Sequence, residues 1–365
     1  MLLVRSLLLL FLLIPISSFA LVDNNATNET VALYGKLQDA QGEYVYWGYH
    51  QPFRWSTTSG VDRNIGIPDS YQIAQVYPYV FSFNFANNTG TNEADNATAS
   101  EWLLKRHYRN GGMIQMHWSM TNWANGNTSG NTTGNTVVAI LPGGDNRTEY
   151  LTQLDIFASW CRNFTDDRSR PIPMLFRPFH EVDGAWSWWG VANASNYKAL
   201  WQDLVVYLRD NQSVHNLIYV YAPEFQYNGN KSQDCYAGDD YVDIVGIDQY
   251  KNTAVLAMPY YQNASDFAVA HNKLFAICEG LAEVSNETIA NENYWNETYL
   301  NPVLNDSKAS KACYIVAFTT YNWGPYANKI SNASFYNMTQ NPKIRMLQYH
   351  NVFLNNANIT HGTIN

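Results

Sequence analysis

The chain has 365 residues, 15% of them aromatic, and a formal net charge of −9 at pH 7. That length supports one large core and lies within the range of a single α/β barrel. The acidic balance disfavours nucleic acid and anionic membranes as partners.

Residues 1–20, MLLVRSLLLLFLLIPISSFA, combine a basic start, a Leu-rich run and a small-residue end. The pattern predicts a secretory signal peptide cleaved after about Ala20. The apolar run is short for a membrane span, which argues against an uncleaved anchor. Residues 21–365 are then one mature domain, secreted and without membrane contact after cleavage. Asn-x-Ser/Thr sequons recur from Asn25 to Asn358. In a eukaryotic secretory route many would carry glycans, which marks those segments as surface. Cys161, Cys235, Cys278 and Cys313 form no C-x-x-C pair, which argues against zinc. They allow up to two disulfides, with all three pairings open.

Short apolar runs follow at regular spacing: Tyr44–Tyr49, Tyr79–Phe85, Met113–Trp118, Pro173–Phe179, Leu217–Tyr221, Val242–Ile247, Leu274–Ile277 and Tyr314–Thr319. These are eight strand candidates. Helical periodicity lies between several of them, over Tyr150–Arg162, Asn196–Arg209 (with Asn193 or Ser195 as N-cap), Tyr261–His271 and Ile344–Leu354. Met120–Arg147, rich in Asn, Gly and Thr, is expected to be a long surface loop. Strands alternating with helices imply a parallel sheet. About eight such units, and no Gly-rich phosphate loop after the first strand, favour a single-domain (β/α)8 TIM barrel.

Several runs end in polar or aromatic residues: His50, His117-Trp118, Arg177 with His180-Glu181, Asp248 with Tyr250, Glu279, and Trp323. In a barrel these ends converge on one mouth. Glu181 and Glu279 end the fourth and seventh strands, and two facing carboxyls are what glycoside hydrolysis requires. Taken singly, each member has a plain structural reading. Either glutamate is equally consistent with a solvated carboxylate, Arg177 with an ion-pair partner, and His50 or His117 with an ordinary barrel histidine. Trp186, Trp188 and Trp189 cannot all touch a ligand. Only the joint pattern points to catalysis.

Arg177-Pro-Phe-His180-Glu181, with Gly184, Trp186 and Trp189-Gly190, resembles glycoside hydrolase family 26, which consists mainly of β-mannanases. The resemblance extends over the mature chain, through His117-Trp118, Asp248 and Tyr250, Glu279 and Trp323. It implies Glu181 as acid/base and Glu279 as nucleophile. It also implies His180, Trp186, Tyr250 and Trp323 around the sugar beside the scissile bond, with Tyr250 touching the nucleophile. Arg177 and His117 would hold the catalytic carboxylates or that sugar, and Trp118 and Asp248 are further substrate-binding candidates. There are two departures. Gly324 stands where the family often has an arginine, and the third strand carries His-Trp where Trp-His is commoner. The implied activity is that of a retaining endo-β-1,4-mannanase acting on mannan, glucomannan or galactomannan as a monomer, with neither metal nor cofactor. An exo-acting mannobiohydrolase, a β-1,3-1,4-glucanase and a non-catalytic mannan-binding lectin are the alternatives.

Overall fold

The computed structural model describes residues 20–50, 68–85, 97–225, 230–281, 291–318 and 330–349. Most of the leader and Trp323 lie outside these residues.

Eight parallel strands close into a barrel: β1 (Val45–His50), β2 (Val80–Asn84), β3 (Met113–His117), β4 (Met174–Arg177), β5 (Leu217–Tyr221), β6 (Ile244–Tyr250), β7 (Leu274–Leu281) and β8 (Ala312–Ala317). Each pairs with its successor, and β1 pairs with both β8 and β2, which closes the ring. The strands are buried on both faces, as parallel strands under a helical layer must be. Tyr46, Val80, Met113, Leu175, Ile218, Val220, Ile244, Ala276 and Val316 fill the lumen. Their strand neighbours Val45, Phe81, Ile114, Phe176, Tyr219 and Val245 pack outward in the larger core. Gly246 keeps the lumen from overfilling, because a Cβ there would lie 2.3 Å from Cys278 Sγ.

A helix over Asn28–Ala40, not anticipated from the sequence, packs Leu33, Tyr34, Leu37 and Ala40 against the lumen residues. Thr27 caps it by accepting from Thr30 N. A second unanticipated helix spans Ala97–Arg109. The predicted helices at Tyr150–Arg162 and Asn196–Arg209 appear as Arg147–Asn163 and Ala194–Val206, the latter continuing as a wide π turn over Tyr207–Asn211. Asn193 is the N-cap, accepting from Asn196 N at 2.8 Å. The Tyr261–His271 helix begins earlier, at Ala254, behind the Thr253 cap.

Two expectations need correction. Ile344–Arg345 is a short strand, β9, paired with β1 and not the start of a helix. The loop after β3 contains a short helix at Thr136–Ile140 and an ordered asparagine network. Asn122 anchors that network by donating to the carbonyls of Asn131 and Thr133. All four cysteines are buried free thiols, so the permitted disulfides are not formed.

Candidate active site

The polar strand ends gather at the C-terminal mouth of the barrel. Alternation places His50, Asn84, His117, Arg177, Asp248 and Tyr250 in line with lumen residues. Glu279 does not follow that rule. On β7, Ala276 and Cys278 face the lumen, so strict alternation would send Glu279 outward. The register corrects this: Ile247 pairs with Ile277, but Asp248 pairs with Glu279, leaving Cys278 as an extra residue. This bulge turns Glu279 inward beside Asp248. The Cys278 carbonyl accepts from Gln115 Nε2 at 3.1 Å, across the lumen from β3.

Arg177 is fully buried. It donates through Nη1 to Asp248 Oδ2 and through Nη2 to Glu279 Oε1. The Tyr250 hydroxyl donates to Glu279 Oε2 at 2.5 Å. Both oxygens of Glu279 therefore accept, an arrangement suited to a carboxylate. Asp248 takes the neighbouring arm of the same guanidinium, beside Glu279, and is fully buried, so the structure gives it a hydrogen bond to Arg177 in place of the expected open substrate contact.

Among the described residues Glu181 has no such cationic hydrogen-bond partner. Burial, then the charges of Glu279 and Glu224, push its carboxyl up to about 8. Its backbone φ is +53°, and that of Phe179 is +46°, both in the left-handed region. The turn is held at each carbonyl. Tyr197 OH donates to Phe179 O at 2.8 Å, Trp189 Nε1 to His180 O at 2.7 Å, and Gly184 N to Glu181 O at 3.0 Å.

Three imidazoles line the floor. His117 lies 5.1 Å, centroid to centroid, from both His50 and His180. Burial, followed by neighbouring positive charge, holds His117 and His180 well below the usual histidine range. Both are therefore neutral, and their Nδ1 atoms have no hydrogen-bond partner among the described residues. His117 Nδ1 lies 4.0 Å from Glu279 Oε1. His50 bonds Ser82 Oγ at 3.1 Å and stacks on Phe318 at 4.6 Å.

The tryptophans divide by burial. Trp188 and Trp189 are core, whereas Trp186 is 41% exposed and lies 5.5 Å from the His180 ring. Gly184 makes room for its indole, since a Cβ there would be 2.7 Å from the ring. Trp118, expected among the sugar contacts, faces the outer layer instead. It stacks on Phe157 at 4.9 Å and meets Phe85 edge-on at 5.1 Å. Gln115, Ser82, Phe318 and Glu224 are site residues that the sequence reading missed. Gln115 had a signal: it shares a strand face with Met113 and His117.

Two sets of residues bring possible metal donors within 4.8 Å of one another: His50, His117 and Glu279, and His180, Asp248 and Glu279. The Arg177 guanidinium already holds Glu279 and Asp248, and it would repel a divalent ion at either place. These residues do not fit a metal.

The family profile described as Glycosyl hydrolase family 26 matches residues 22–341. A Bifidobacterium adolescentis protein named mannan endo-1,4-beta-mannosidase is 30% identical over 290 residues, covering 72% of this chain and 28% of that protein. A Bacillus subtilis protein of the same name is 29% identical over 244 residues, 64% of this chain and 62% of its own. The chain thus spans less than two thirds of these relatives' length. The catalytic domain of the GH26 endo-beta-1,4-mannanase of Bacillus sp. JAMB-750 superposes with a TM-score of 0.82 at 27% identity, over 91% of this chain and 95% of that one. A GH26 beta-mannanase from Bacteroides ovatus gives 0.78 at 25% identity, over 89% and 98%.

Proposed function

Because the chain belongs to glycosyl hydrolase family 26, we propose that it is a retaining endo-β-1,4-mannanase. The observation that carries the reading is the contrast between the two glutamates. Glu279 is held by Arg177 and Tyr250, while Glu181 has no cationic hydrogen-bond partner among the described residues and its carboxyl is pushed up to about 8. One carboxyl kept protonated beside one kept as an acceptor is the division of labour this chemistry needs.

In this mechanism a mannan chain lies across the mouth. Glu181 gives its proton to the departing glycosidic oxygen as that bond breaks. Glu279 attacks the anomeric carbon and forms a glycosyl-enzyme. A water molecule then enters, Glu181 takes one of its protons, the water oxygen bonds to the anomeric carbon, and the ester bond breaks to free the Glu279 carboxylate. Arg177 and Tyr250 fix the line of attack. His117 and His180, neutral and with free Nδ1 atoms, suit sugar hydroxyls. The exposed face of Trp186 suits a sugar ring, and we assign the same role to Trp323.

Hydrolysis of mannan, glucomannan and lichenan, measured side by side with product sizes over time, tests the reading. Mannan should be cut internally, giving mixed oligosaccharides early. Release of a single disaccharide, or cleavage of lichenan alone, overturns it.

Secretion as a monomeric glycoprotein beginning near Leu21 belongs to the same proposal. The leader supports it, and so does sequon placement. No sequon asparagine among the described residues is buried, while the buried Asn122 and Asn216 lie outside sequons. N-terminal sequencing and enzymatic deglycosylation of the native protein check it. An intact leader or an unmodified mass refutes it.

A further inference from the structure

Glu181 stands on a turn with two residues in the left-handed region, a strained conformation that persists only where its surroundings over-determine it. The three carbonyls from Phe179 to Glu181 are capped by Tyr197, Trp189 and Gly184, all from the stretch of chain between β4 and β5. Something must also fix the turn relative to the rest of the mouth.

That link is the three-residue segment Ala222–Glu224 after β5. The Ala222 carbonyl accepts from Glu181 N at 2.8 Å, and the Pro223 carbonyl accepts from Asp248 N at 3.0 Å. The Glu224 carbonyl accepts from Gln249 Nε2 at 3.0 Å. The segment therefore joins the backbone of the acid to β6, where the partner of Arg177 begins. Asp183, two residues after Glu181, clamps it. Asp183 Oδ1 accepts from Glu224 N at 2.8 Å, and Oδ2 accepts from Ser232 Oγ at 2.6 Å. Ser232 is buried and sits in the short helix Lys231–Asp234.

We propose that Asp183 is a positioning residue for the acid/base Glu181. It locks the turn that carries Glu181 to the Ala222–Glu224 segment and so fixes where the proton is delivered. Asp183 does not reach the reacting atoms by these contacts. It acts through Glu181, and the proposal rests on the acid/base reading of that residue.

Positioning of a general acid matters most when the leaving group is poor. The test therefore compares kcat/KM on mannopentaose with kcat/KM on a dinitrophenyl mannobioside, whose leaving group needs little protonation. Glu181→Ala is the control. It should fall far more on mannopentaose than on the aryl substrate, and equal losses there reject the acid/base reading itself. Given that control, Asp183→Ala is expected to lower mannopentaose hydrolysis at least ten-fold more than aryl hydrolysis, mainly in kcat. Asp183→Asn still offers an oxygen to Glu224 N and should bring the ratio back to within about three-fold of wild type. If Asp183→Ala does not fold, Ser232→Ala removes the other anchor and should move the ratio the same way. An unchanged ratio in the folded variant, or equal losses on both substrates, overturns the proposal.

Discussion

Gln115 on β3 donates its side-chain amide to the carbonyl of Cys278 on β7 at 3.1 Å, across the barrel lumen. That carbonyl belongs to the bulge that turns Glu279 inward. The same amide bonds Ser82 Oγ at 3.0 Å, and Ser82 bonds His50. One buried polar side chain thus supports the strand of Glu279 and the histidine row together.

Gln115→Leu leaves the Cys278 carbonyl without a donor in a dry interior. A loss of about 1–3 kcal/mol is expected, seen as a lower denaturation midpoint. Because Glu279 would serve natural and aryl substrates alike, kcat should fall on both by a similar factor. A stable variant with normal kcat would remove Gln115 from any role in setting the bulge.

The two glutamates should separate kinetically. Glu279→Ala is expected to abolish turnover on every substrate. Glu181→Ala should lose about 10²–10⁴-fold on mannan and keep most activity on dinitrophenyl mannobioside. The first product released by the wild type should have the anomeric configuration of the substrate, an outcome that calls for carboxyl oxygens about 5–5.5 Å apart. An inverted product, read by NMR within the first minutes, rejects the double displacement.

The pH profile follows from Glu181. With its carboxyl pushed up to about 8 by burial, Glu279 and Glu224, and with Arg177 pulling the other way, kcat/KM should fall as pH rises through about 8. Stability carries the same sign. Between the unfolded value of 4.5 and about 8 the native state keeps a proton that the unfolded chain has lost. Glu181's contribution is therefore complete below 4.5, declines across that window and is gone above it. Melting temperature plotted against pH should be flatter in that window for Glu181→Gln than for wild type. Parallel curves would contradict the shift.

Two indoles three residues apart should behave differently. Trp186→Ala removes an exposed face and should reduce kcat/KM about ten-fold, on the order of 1.4 kcal/mol, with little change in melting temperature. Trp189→Phe removes the donor to His180 O, and Trp189 is fully buried. It should destabilise by about 1–3 kcal/mol. Thermal melts beside kinetics separate the two, and a Trp186→Ala protein with a large fall in melting temperature would make that indole structural.

Much of this architecture was legible because each strand is an apolar run that ends abruptly in polarity. Buried parallel strands need Val, Ile, Leu and aromatic residues on both faces, and charge is tolerated only where the strand leaves the barrel. His117, Arg177, Glu181, Asp248, Tyr250 and Glu279 could all be placed at a mouth on that ground. Side-chain facing was less accessible. Trp118 follows the lumen-facing His117 on one strand, so alternation turns it outward, a constraint that adjacency alone could have supplied. Ile344–Arg345 became a strand because an open β1 backbone at Val45 and Tyr46 captured it, overriding a local periodicity that suited a helix.

The inward direction of Glu279 was decided only by tertiary structure. By its position on β7 it should face the helices, and the sequence LFAICEG contains no mark of a bulge. The extra residue at Cys278 shows only in the pairing of β7 with its neighbours, whose registers shift on both sides, and Gln115 satisfies the Cys278 carbonyl. A period of two is a property of one strand, whereas a bulge is a property of a strand among its neighbours. The protonation of Glu181 has the same origin. Nothing in His180-Glu181-Val182 raises a carboxyl. Burial in the mouth and the charges of Glu279 and Glu224 do so, against the pull of Arg177, and those groups meet only when the barrel closes.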